Sequence, residues 1–317
     1  MQAFDAVFVG LTILDVSGRP VTGIPEGGNV AFIEEIRLNP AGTAAGAVMN
    51  AAKLGIRTAT VACVGQDPSG DLILDVYGKL GIDCTMVQRT DARPTSATIL
   101  PIRPNGERPA LHARGASDLL FVAQGDFDRV CDTRFLHYGG AGLLRAMDEA
   151  GQAARLLAHA HGAGVTTSVD LLAPGPEVAA MLPDMLPHVD YFMPSMEEAA
   201  ALSGATDPDA IADHFLALGA GTCIFKWGAQ GSFVKGRAGR FRVPAFRVEV
   251  VDTTGCGDAY CGGFVAGLAL GASVQEACAM GTATSGLVAT GLGSDAGVVD
   301  LPTTRDFMAH TPRLTPG

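Results

Sequence analysis

The sequence predicts an α/β fold in which a mostly parallel β-sheet is covered by helices on both faces. The run FDAVFVG (4–10) is short and apolar, as expected of a strand that is buried on both sides. The segment AAGAVMNAAKLG (44–55) has the small residues and the glycine stop of a buried helix. These two patterns alternate along the chain, which is typical of strands joined by helical crossovers.

The remaining elements follow from the same two patterns. Segments that end in glycine or are rich in alanine predict helices at 69–81 and around 148–162. Short apolar runs bounded by turn residues predict strands at 58–65, 134–140, 165–170, 189–194 and 222–228. Ligands bind at the carboxyl ends of parallel strands, and the predicted ends here are polar or glycine-rich: Gly10, Gly65, Gly139, Asp170, Pro194 and Gly228.

Two stretches interrupt this alternation and predict a small separate β-sheet. NVAFIEEIRL (29–38) alternates as a strand does, and the segment 95–115 predicts a hairpin that turns at Asn105-Gly106, a dipeptide suited to a type I′ turn. Such a flap could serve as an active-site lid or as a dimer surface, and a hairpin without function is the alternative. The tail 302–317 is rich in Thr and Pro, and we expect it to be a loose end.

The composition fits a well-packed chain and excludes two classes of partner. The chain has 317 residues, 48% of them apolar and 17% charged, so it can form one large domain with an elaboration or two smaller domains. The formal net charge of -11 argues against nucleic acid and anionic membranes, which need a basic surface. The start MQAFDAVFVG lacks a signal-peptide pattern and no long apolar run occurs, so we expect a cytoplasmic protein without a membrane span.

Seven scattered cysteines predict neither a zinc site nor a disulfide framework. Their number is odd and no C-x-x-C pair occurs among them. We expect reduced thiols that are mostly buried as small apolar side chains.

The segment DTTGCGDAYCGGF (252–264) is the strongest candidate for chemistry. Gly255 and Gly257 permit a tight turn, and an apolar run that suits a buried helix follows them. A glycine turn at a helix N-terminus presents unpaired N–H groups and the positive end of the helix dipole, which bind phosphate oxygens. Asp258 in the first turn is then either a helix cap or a base that accepts a proton from a hydroxyl nucleophile.

Other motifs of phosphate and hydrolase chemistry are missing. The sequence has no G-x-x-x-x-G-K-[ST], and no G-x-G-x-x-G follows the first strand, which argues against a P-loop enzyme and a dinucleotide-binding fold. The absence of H-E-x-x-H and G-x-S-x-G argues against zinc hydrolases and esterases.

Four segments together resemble the ribokinase/PfkB family of carbohydrate and nucleoside kinases. DTTGCGDAYCGGF resembles that family's DTxGAGD signature, and AGTAAGAVMNAAKLG (41–55) is similar to its glycine-rich N-terminal signature. VDYFMPSMEEAA (189–200) resembles its N-x-x-E segment, and KWGAQGS (226–232) its nucleotide-binding strand end. These segments occur in family order, so the resemblance covers nearly the whole chain.

The resemblance implies a ribokinase-like α/β fold, with a mostly parallel central sheet flanked by helices and a small β-sheet lid that folds over the sugar. It implies a main domain that binds nucleotide and substrate, formed by residues 1–15, 39–92 and 116–301. The lid would comprise residues 16–38 and 93–115, followed at the end of the chain by the tail.

The resemblance also assigns roles in catalysis and acceptor binding. Asp258 aligns with the family's catalytic base, and Gly255, Cys256 and Gly257 align with its anion hole. The residues implied to hold the acceptor are Asp15, Gly42, Thr43 and Gly46. His112 and Arg114, at the end of the predicted hairpin, are candidates to contact the acceptor from above; exposed polar residues on a lid edge are the alternative.

Nucleotide and cation sites are implied in the same way. The implied nucleotide-binding residues are Ser195, Lys226, Gly228, Gly231 and Thr254. Glu198 aligns with the acidic residue that organises water around Mg²⁺. Backbone carbonyls near Asp252, Thr254, Ala289 and Gly293 would hold a monovalent cation, K⁺, as in several relatives.

Several positions depart from the family pattern. Where the family's signature has Gly-Gly and a sugar-binding Asn, this chain has Ala41-Gly42 and Gly46, and the Asn of N-x-x-E is Ser195. Ile13 stands where ribose-specific relatives have a polar side chain. A site with fewer hydrogen bonds discriminates less among hydroxyl groups, so we do not expect ribose as the specific acceptor.

We therefore expect an ATP- and Mg²⁺-dependent kinase, and a homodimer, that phosphorylates a primary hydroxyl of a sugar or sugar-like molecule such as a sugar acid. A nucleoside kinase of the same family is one alternative. A catalytically idle member that binds only a metabolite or a protein is another. The backbone N–H of Cys256 would act rather than its thiol, although a helix N-terminus can lower a thiol pKa and make it reactive.

Overall fold

In the computed structural model, which describes residues 2–172, 175–237 and 239–315, strands and helices alternate. The strands, numbered in chain order, are β1 (Phe4–Gly10), β2 (Ile13–Arg19), β3 (Glu35–Ala41), β4 (Thr58–Val61), β5 (Cys63–Gly65), β6 (Gln88–Thr90), β7 (Ala97–Pro101), β8 (Leu111–Ala113), β9 (Thr133–Ala141), β10 (Thr166–Leu171), β11 (Tyr191–Phe192), β12 (Thr222–Lys226), β13 (Ser232–Gly236) and β14 (Gly239–Val243). The helices are α1 (Thr43–Lys53), α2 (Pro68–Lys79), α3 (Phe127–Val130), α4 (Arg145–Glu149), α5 (Gln152–Gly162), α6 (Pro176–Met185), α7 (Met196–Ser203), α8 (Pro208–Ala217), α9 (Cys256–Ala269), α10 (Val274–Val288) and α11 (Leu301–His310).

Eight strands form the central sheet, in the order β14-β13-β12-β11-β10-β9-β1-β4. The pairs from β4 to β12 are parallel, and the two pairs at the other edge, β12–β13 and β13–β14, are antiparallel. Strand β1 lies between β9 and β4, and its residues 6–9 are fully buried, which explains its unbroken apolar run. The predicted mostly parallel sheet is therefore confirmed.

Three predicted elements differ from the observed ones. The run 58–65 is divided, because the chain leaves the central sheet after β4, and β5 pairs with β6 in a separate two-stranded sheet. The helix predicted around 148–162 is interrupted at Gly151, whose φ of 59° is a left-handed conformation that ends α4 and starts α5. The segment 189–194 contributes only the two residues of β11, and the β13–β14 hairpin was not predicted.

Helix α9 is held between α1 and α10 by very close contacts. A Cβ on Gly262 would lie 2.3 Å from the carbonyl oxygen of Ala47 in α1. A Cβ on Gly263 would lie 2.3 Å from Thr284 Oγ1 in α10. Only glycine fits at these positions. The two glycines therefore let α9 pack closely against both neighbouring helices, and this packing determines where its N-terminus lies. Over residues 2–172, 175–237 and 239–315, none of the helices combines the length and apolar character needed to cross a bilayer.

The small sheet has the order β3-β2-β7-β8 and is separate from the central sheet. The prediction of a strand over 29–38 was wrong in its bounds, because the strand begins at Glu35 and continues to Ala41. Strand β2 likewise begins at Ile13, so the small sheet extends past the predicted lid limits at residues 16 and 38. The other domain limits remain predictions.

The hairpin of the small sheet turns one residue earlier than a type I′ turn at Asn105-Gly106 would. The N–H of Gly106 donates to the carbonyl of Arg103 at 2.9 Å, which places Pro104 and Asn105 at the two central positions. The ring of Pro104 excludes the positive φ that a type I′ turn needs there. Gly106 follows with a φ of 83°, the left-handed residue of a longer hairpin loop.

Over residues 302–315 the tail is not a loose end, which corrects that part of the prediction for 302–317; residues 316 and 317 lie outside the described residues. Asp300 caps α11 by accepting the N–H of Thr303 at 2.7 Å. After α11, the N–H of Leu314 donates to Ala245 and Pro312 accepts from the N–H of Arg247, at 2.7 and 2.8 Å. The Thr- and Pro-rich composition is therefore that of a capped helix followed by a short paired segment.

Candidate active site

A cavity of about 840 Å³ lies at the carboxyl ends of the parallel strands and is covered by the small sheet. The catalytic and nucleotide-binding residues that the sequence predicts all line it, as does Glu198. Among the predicted acceptor residues, Asp15, Gly42 and Thr43 also line it. The structure thus brings together segments that are more than 200 residues apart in the sequence.

The anion turn, which we define as Gly255–Asp258, is built by backbone geometry. Gly255 has a φ of 73°, and a Cβ there would lie 2.4 Å from Ser294 Cβ, so the position requires glycine. Helix α9 begins at Cys256, whose N–H donates to the carbonyl of Thr253 at 3.3 Å. The N–H groups that follow in the first turn have no partner within the helix itself. The positive end of the helix dipole therefore faces the cavity, as an anion site requires.

Asp258 lies in the first turn of α9 with its carboxyl group against helix α1. A Cβ on Gly46 would lie 2.9 Å from Asp258 Oδ2, so Gly46 makes room for this side chain and does not itself line the cavity. Burial raises the pKa of Asp258 to about 7, and the nearby carboxylates of Asp170, Asp15 and Glu198 add to the rise while Lys226 opposes it. A carboxylate with a pKa near neutrality is well matched to proton transfer at neutral pH.

A buried ion pair lies beside the anion turn. Lys226 Nζ is 2.6 Å from Asp170 Oδ2, and a Cβ on Gly257 would lie 3.2 Å from the same Nζ. Burial lowers the pKa of Lys226, but the attraction of Asp170, Cys261 and Glu198 outweighs it, and the pKa is raised overall. The ammonium group therefore stays charged where a transferred phosphoryl group would lie. Asp170 was predicted only as a polar strand end.

Glu198 and Ser195 have a structural role as well as a place in the cavity wall. Ser195 caps α7 and accepts the N–H of Glu198 at 3.1 Å, while Glu198 Oε2 accepts the N–H of Ser195 at 2.8 Å. Burial raises the pKa of Glu198, with Asp170 adding to the rise. Carboxylate oxygens accept hydrogen bonds from the waters bound to Mg²⁺, so the side chain of Glu198 is suited to that ion.

The part of the cavity that is lined by the predicted acceptor residues is called the acceptor end. It contains buried polar atoms that have no hydrogen-bond partner within the described residues. Oδ1 of Asp15 and Oγ1 of Thr43 are both buried without a hydrogen bond. Burial raises the pKa of Asp15 to about 6, and a hydrogen bond from Thr98 and the charge of Arg108 oppose the rise. Buried polar groups normally have partners, so these atoms indicate where ligand hydroxyl groups would bind.

Arg108 is a cavity residue that the sequence analysis missed. It follows the hairpin turn, and its Nη1 donates to Thr254 Oγ1 across the cavity at 3.2 Å. The predicted candidates do not line the cavity. His112 Nδ1 lies 3.0 Å from Thr98 Oγ1, and Arg114 is paired with Asp118 at 3.4 Å. A basic residue near a hairpin tip was the available signal, but sequence alone does not show which one reaches over the site.

The predicted nucleotide-binding loop takes left-handed backbone conformations at two glycines. Gly228 has a φ of 48° and Gly231 a φ of 84°, and a Cβ on Gly231 would lie 1.9 Å from the carbonyl oxygen of Val243. Beyond the loop, the cavity wall becomes apolar at Trp227, Phe246 and Gly286. This combination of a glycine loop and an apolar wall fits the polar and aromatic parts of a nucleotide.

The thiol of Cys256 is not activated by the helix N-terminus. Burial raises its pKa to about 12, against the charge of Arg108, which lowers it. The raised pKa argues against a reactive thiolate at Cys256, because burial disfavours the charged form of the thiol. All seven cysteines are free, and most are buried as predicted.

The four residues of the predicted monovalent-cation site lie in two adjacent loops. Asp252 Oδ1 accepts from the N–H and hydroxyl of Thr254 at 2.9 and 2.7 Å, and its Oδ2 accepts from the N–H of Gly293 at 3.4 Å. The carbonyl of Ala289 already accepts the N–H groups of Val251 and Asp252. Among the residues that the structure describes, no group of three or more His, Cys, Asp or Glu side chains is arranged to hold a metal ion.

Comparison with known proteins shows the family of this chain. The family model for pfkB family carbohydrate kinases matches residues 3–300. The ribokinase of Haemophilus influenzae is 28% identical over 278 residues, which cover 85% of this chain and 87% of the relative. The 2-dehydro-3-deoxygluconokinase of Bacillus subtilis is 29% identical over 257 residues, with 78% and 79% covered.

The fold also matches solved structures. A crystal structure from E. coli, described as ribokinase II in complex with ATP and Mg²⁺, superposes with a TM-score of 0.83 at 21% identity and covers 96% of this chain and 99% of its own. That likeness establishes a ribokinase-like fold, and the family match extends over nearly the whole chain. The chain belongs to the pfkB family of carbohydrate kinases.

Proposed function

We propose that this chain is an ATP-dependent kinase that transfers the γ-phosphate to a primary hydroxyl group of a sugar or sugar-like acceptor. The observation that carries the proposal is Asp258, a carboxyl group with a pKa of about 7 in the first turn of the helix that forms the anion turn. A proton acceptor and an anion site in one helical turn are the two groups that phosphoryl transfer from ATP needs.

In the proposed reaction, Asp258 accepts the proton of the acceptor hydroxyl as its oxygen bonds to the γ-phosphorus of ATP. The bond between the γ-phosphorus and its bridging oxygen breaks, and ADP leaves with that electron pair. The N–H groups of the anion turn and the ammonium group of Lys226 stabilise the charge on the transferred group. The small sheet covers the cavity and excludes water, which would otherwise hydrolyse ATP.

Glu198 would bind Mg²⁺ through water, and the ion would neutralise part of the charge on the β- and γ-phosphates. We place the proposed monovalent cation, K⁺, at the backbone carbonyls of Asp252, Thr254 and Gly293. Ala289 is a weaker ligand, because its carbonyl already accepts two N–H groups. Equal rates in K⁺ and in tetramethylammonium would contradict this cation.

The acceptor end favours an acceptor that has both hydroxyl groups and a negative charge. Asp15 and Thr43 offer unpartnered polar atoms for hydroxyl groups, and Arg108 places a guanidinium group at the same end of the cavity. A sugar acid satisfies both features. A neutral sugar or a nucleoside uses only the first, so these are the comparison substrates.

The test is ADP release with Mg·ATP across sugars, sugar acids and nucleosides. We expect turnover with at least one sugar or sugar acid, and Asp258→Asn to lower kcat by about 10²–10⁴-fold while ADP still binds. Asp306→Asn, on the exposed face of α11, is the matched control and should keep wild-type turnover. Near-normal turnover in Asp258→Asn would contradict the mechanism, and turnover only with nucleosides would favour the nucleoside kinase. Binding without turnover on any acceptor would favour an idle binding protein.

We also propose that the exposed face of the small sheet pairs two copies of the chain. Leu38, Val16, Ile99 and Leu111 form one cross-strand row, and Leu38, Ile99 and Leu111 are 52%, 56% and 62% exposed. The adjacent polar row containing Asp15 faces the cavity. An apolar face on a chain of net charge -11 suits an uncharged, self-complementary partner surface. Ile99→Lys should convert a dimer to a monomer in light scattering, and a monomeric wild type would contradict the proposal.

A further inference from the structure

The segment after α11 lies beyond the family match but contributes to the cavity of the active site. The match ends at residue 300, and α11 and the residues after it follow. Leu314 forms part of the cavity wall together with Phe246 and Val248. We name residues 312–314 the C-terminal clasp.

The clasp is fixed to the chain segment that leads into the anion turn. Two backbone hydrogen bonds join it to residues 245 and 247, with Phe246 and Arg313 paired between them. The guanidinium carbon of Arg313 lies 3.7 Å from the centre of the Phe246 ring, and Arg313 Nη1 donates to the carbonyl of Pro244 at 2.7 Å. Main-chain and side-chain contacts thus join the clasp to residues 244–247.

Phe246 is braced by α11 as well as by the clasp. Its ring centre lies 4.9 Å from that of Phe307, and a Cβ on Gly286 would lie 3.6 Å from the Phe307 ring and 3.8 Å from Phe246 Cβ. Gly286 of α10 therefore lies next to this pair of rings. The result is an apolar wall made of α10, Phe246 and Leu314.

This wall lies on the side of the anion turn where ATP, the phosphoryl donor, would bind. On one side of the turn, Asp258 contacts α1, whose N-terminal residues Gly42 and Thr43 line the acceptor end. On the other side, the Cys256 side chain interacts with Ser285 of α10, which lines the cavity and immediately precedes Gly286. In-line transfer requires the acceptor and the departing ADP on opposite sides of the transferred group. A nucleobase would therefore extend towards the α10 side and reach the apolar wall.

We infer that the C-terminal clasp forms the nucleobase wall of the donor site and that Leu314 determines affinity for the base. The inference rests on the proposed kinase function. An apolar side chain against a flat aromatic base adds affinity by removing both surfaces from water. A charge at position 314 would have to be desolvated when the base binds, which opposes binding.

The experiment uses Trp227, the single tryptophan of the chain, which lines the cavity and reports binding by its fluorescence. Mg·ADP and Mg·tripolyphosphate, which lacks a base, are titrated into the wild type, Leu314→Asp and Leu314→Ala. Val299→Asp, at an exposed position outside the cavity wall, is the matched control. Melting temperatures without ligand show whether each variant is folded. If Leu314→Asp is not folded, the test rests on Leu314→Ala.

We expect the Kd for ADP to rise about tenfold or more in Leu314→Asp and less in Leu314→Ala, with tripolyphosphate unchanged within about twofold. Val299→Asp should bind both probes as the wild type does. Wild-type ADP affinity in the folded Leu314 variants, or an equal loss of ADP and tripolyphosphate, would overturn the inference and leave the kinase proposal intact. A wild type that does not bind ADP would overturn the proposed function and the inference with it.

Discussion

The two ends of the cavity are built in different ways. At the transfer end, which comprises the anion turn and Lys226, Gly262 and Gly263 pack α9 so closely against α1 and α10 that no added Cβ would fit. Lys226 is paired there with Asp170 in the buried interior. At the acceptor end, Asp15 and Thr43 have unpartnered buried atoms, and Arg108 enters from a loop of the separate small sheet. The ammonium group of the transfer end is paired within the protein, whereas two buried polar atoms of the acceptor end have no hydrogen-bond partner among the described residues.

This difference means that phosphoryl transfer and the choice of acceptor would depend on different groups of residues. The groups that would transfer a phosphoryl group are held by backbone packing and a buried ion pair, so they do not depend on which acceptor binds. Selectivity depends on unpaired polar atoms, because an acceptor that fails to pair them leaves their desolvation cost uncompensated. Substitutions at the two ends should therefore have different effects.

The largest effect should follow from removing the carboxylate of the buried pair. Asp170→Asn leaves Lys226 buried without its counter-charge, which should lower the free energy of unfolding by about 3–5 kcal/mol. It should also lower the pKa of Asp258, because Asp170 raises it. Urea unfolding and the pH dependence of kcat measure the two effects. Asp75→Asn, in the exposed pair with Lys79, is the control, and equal losses of stability in both variants would contradict the assignment.

At the acceptor end, Arg108→Ala should raise the KM of an anionic acceptor by about tenfold or more, because it removes a charged hydrogen-bond donor. The KM for ATP and the stability should change little. Arg114→Ala is the matched control, because Arg114 pairs with Asp118 at the base of the small sheet and does not line the cavity. If Arg114→Ala raised the acceptor KM as much as Arg108→Ala, the hairpin tip would not be the selective element.

A smaller and more gradual effect is expected from pH. Asp258 must be ionised to accept a proton, so kcat should fall about tenfold per pH unit below its pKa of about 7. The stability of the fold changes with pH in the opposite direction. A folded-state pKa raised above the unfolded value of 3.8 stabilises the fold fully at low pH, and this contribution is lost as pH rises through about 7. The stability of the wild type relative to Asp258→Asn should therefore decline from pH 4 to 8. A pH-independent difference would contradict the raised pKa.

The sequence predicts the transfer end well because its signals are local. The glycine turn, the following helix and Asp258 lie within one short segment, and the physics of a helix N-terminus applies to them without knowledge of the fold. The alternation of strands and helices then places that segment at the carboxyl edge of a parallel sheet. The ion pair between Lys226 and Asp170 was not visible, because it joins the ends of two strands that are distant in sequence.

The acceptor end and the tail depend on nonlocal geometry. Arg108, His112 and Arg114 are three basic residues in one hairpin, and only the path of the turn decides that Arg108 crosses the cavity. The Thr- and Pro-rich tail has the composition of a loop, but its order comes from pairing with residues 245 and 247. Composition predicts the local conformation of a segment, but the positions of both segments depend on contacts with residues that are distant in the sequence.

The loop carrying Arg108 has a practical consequence for engineering. It belongs to a sheet that is separate from the central one, and none of the glycine contacts that fix α9 involves it. Libraries that randomise residues 104–107 and 109–110 would therefore vary acceptor range while keeping the hydrogen bond from Arg108 to Thr254, beside the anion turn. Libraries that include Gly262 or Gly263 would mostly yield misfolded variants, because any added side chain collides with backbone or side-chain atoms of a neighbouring helix.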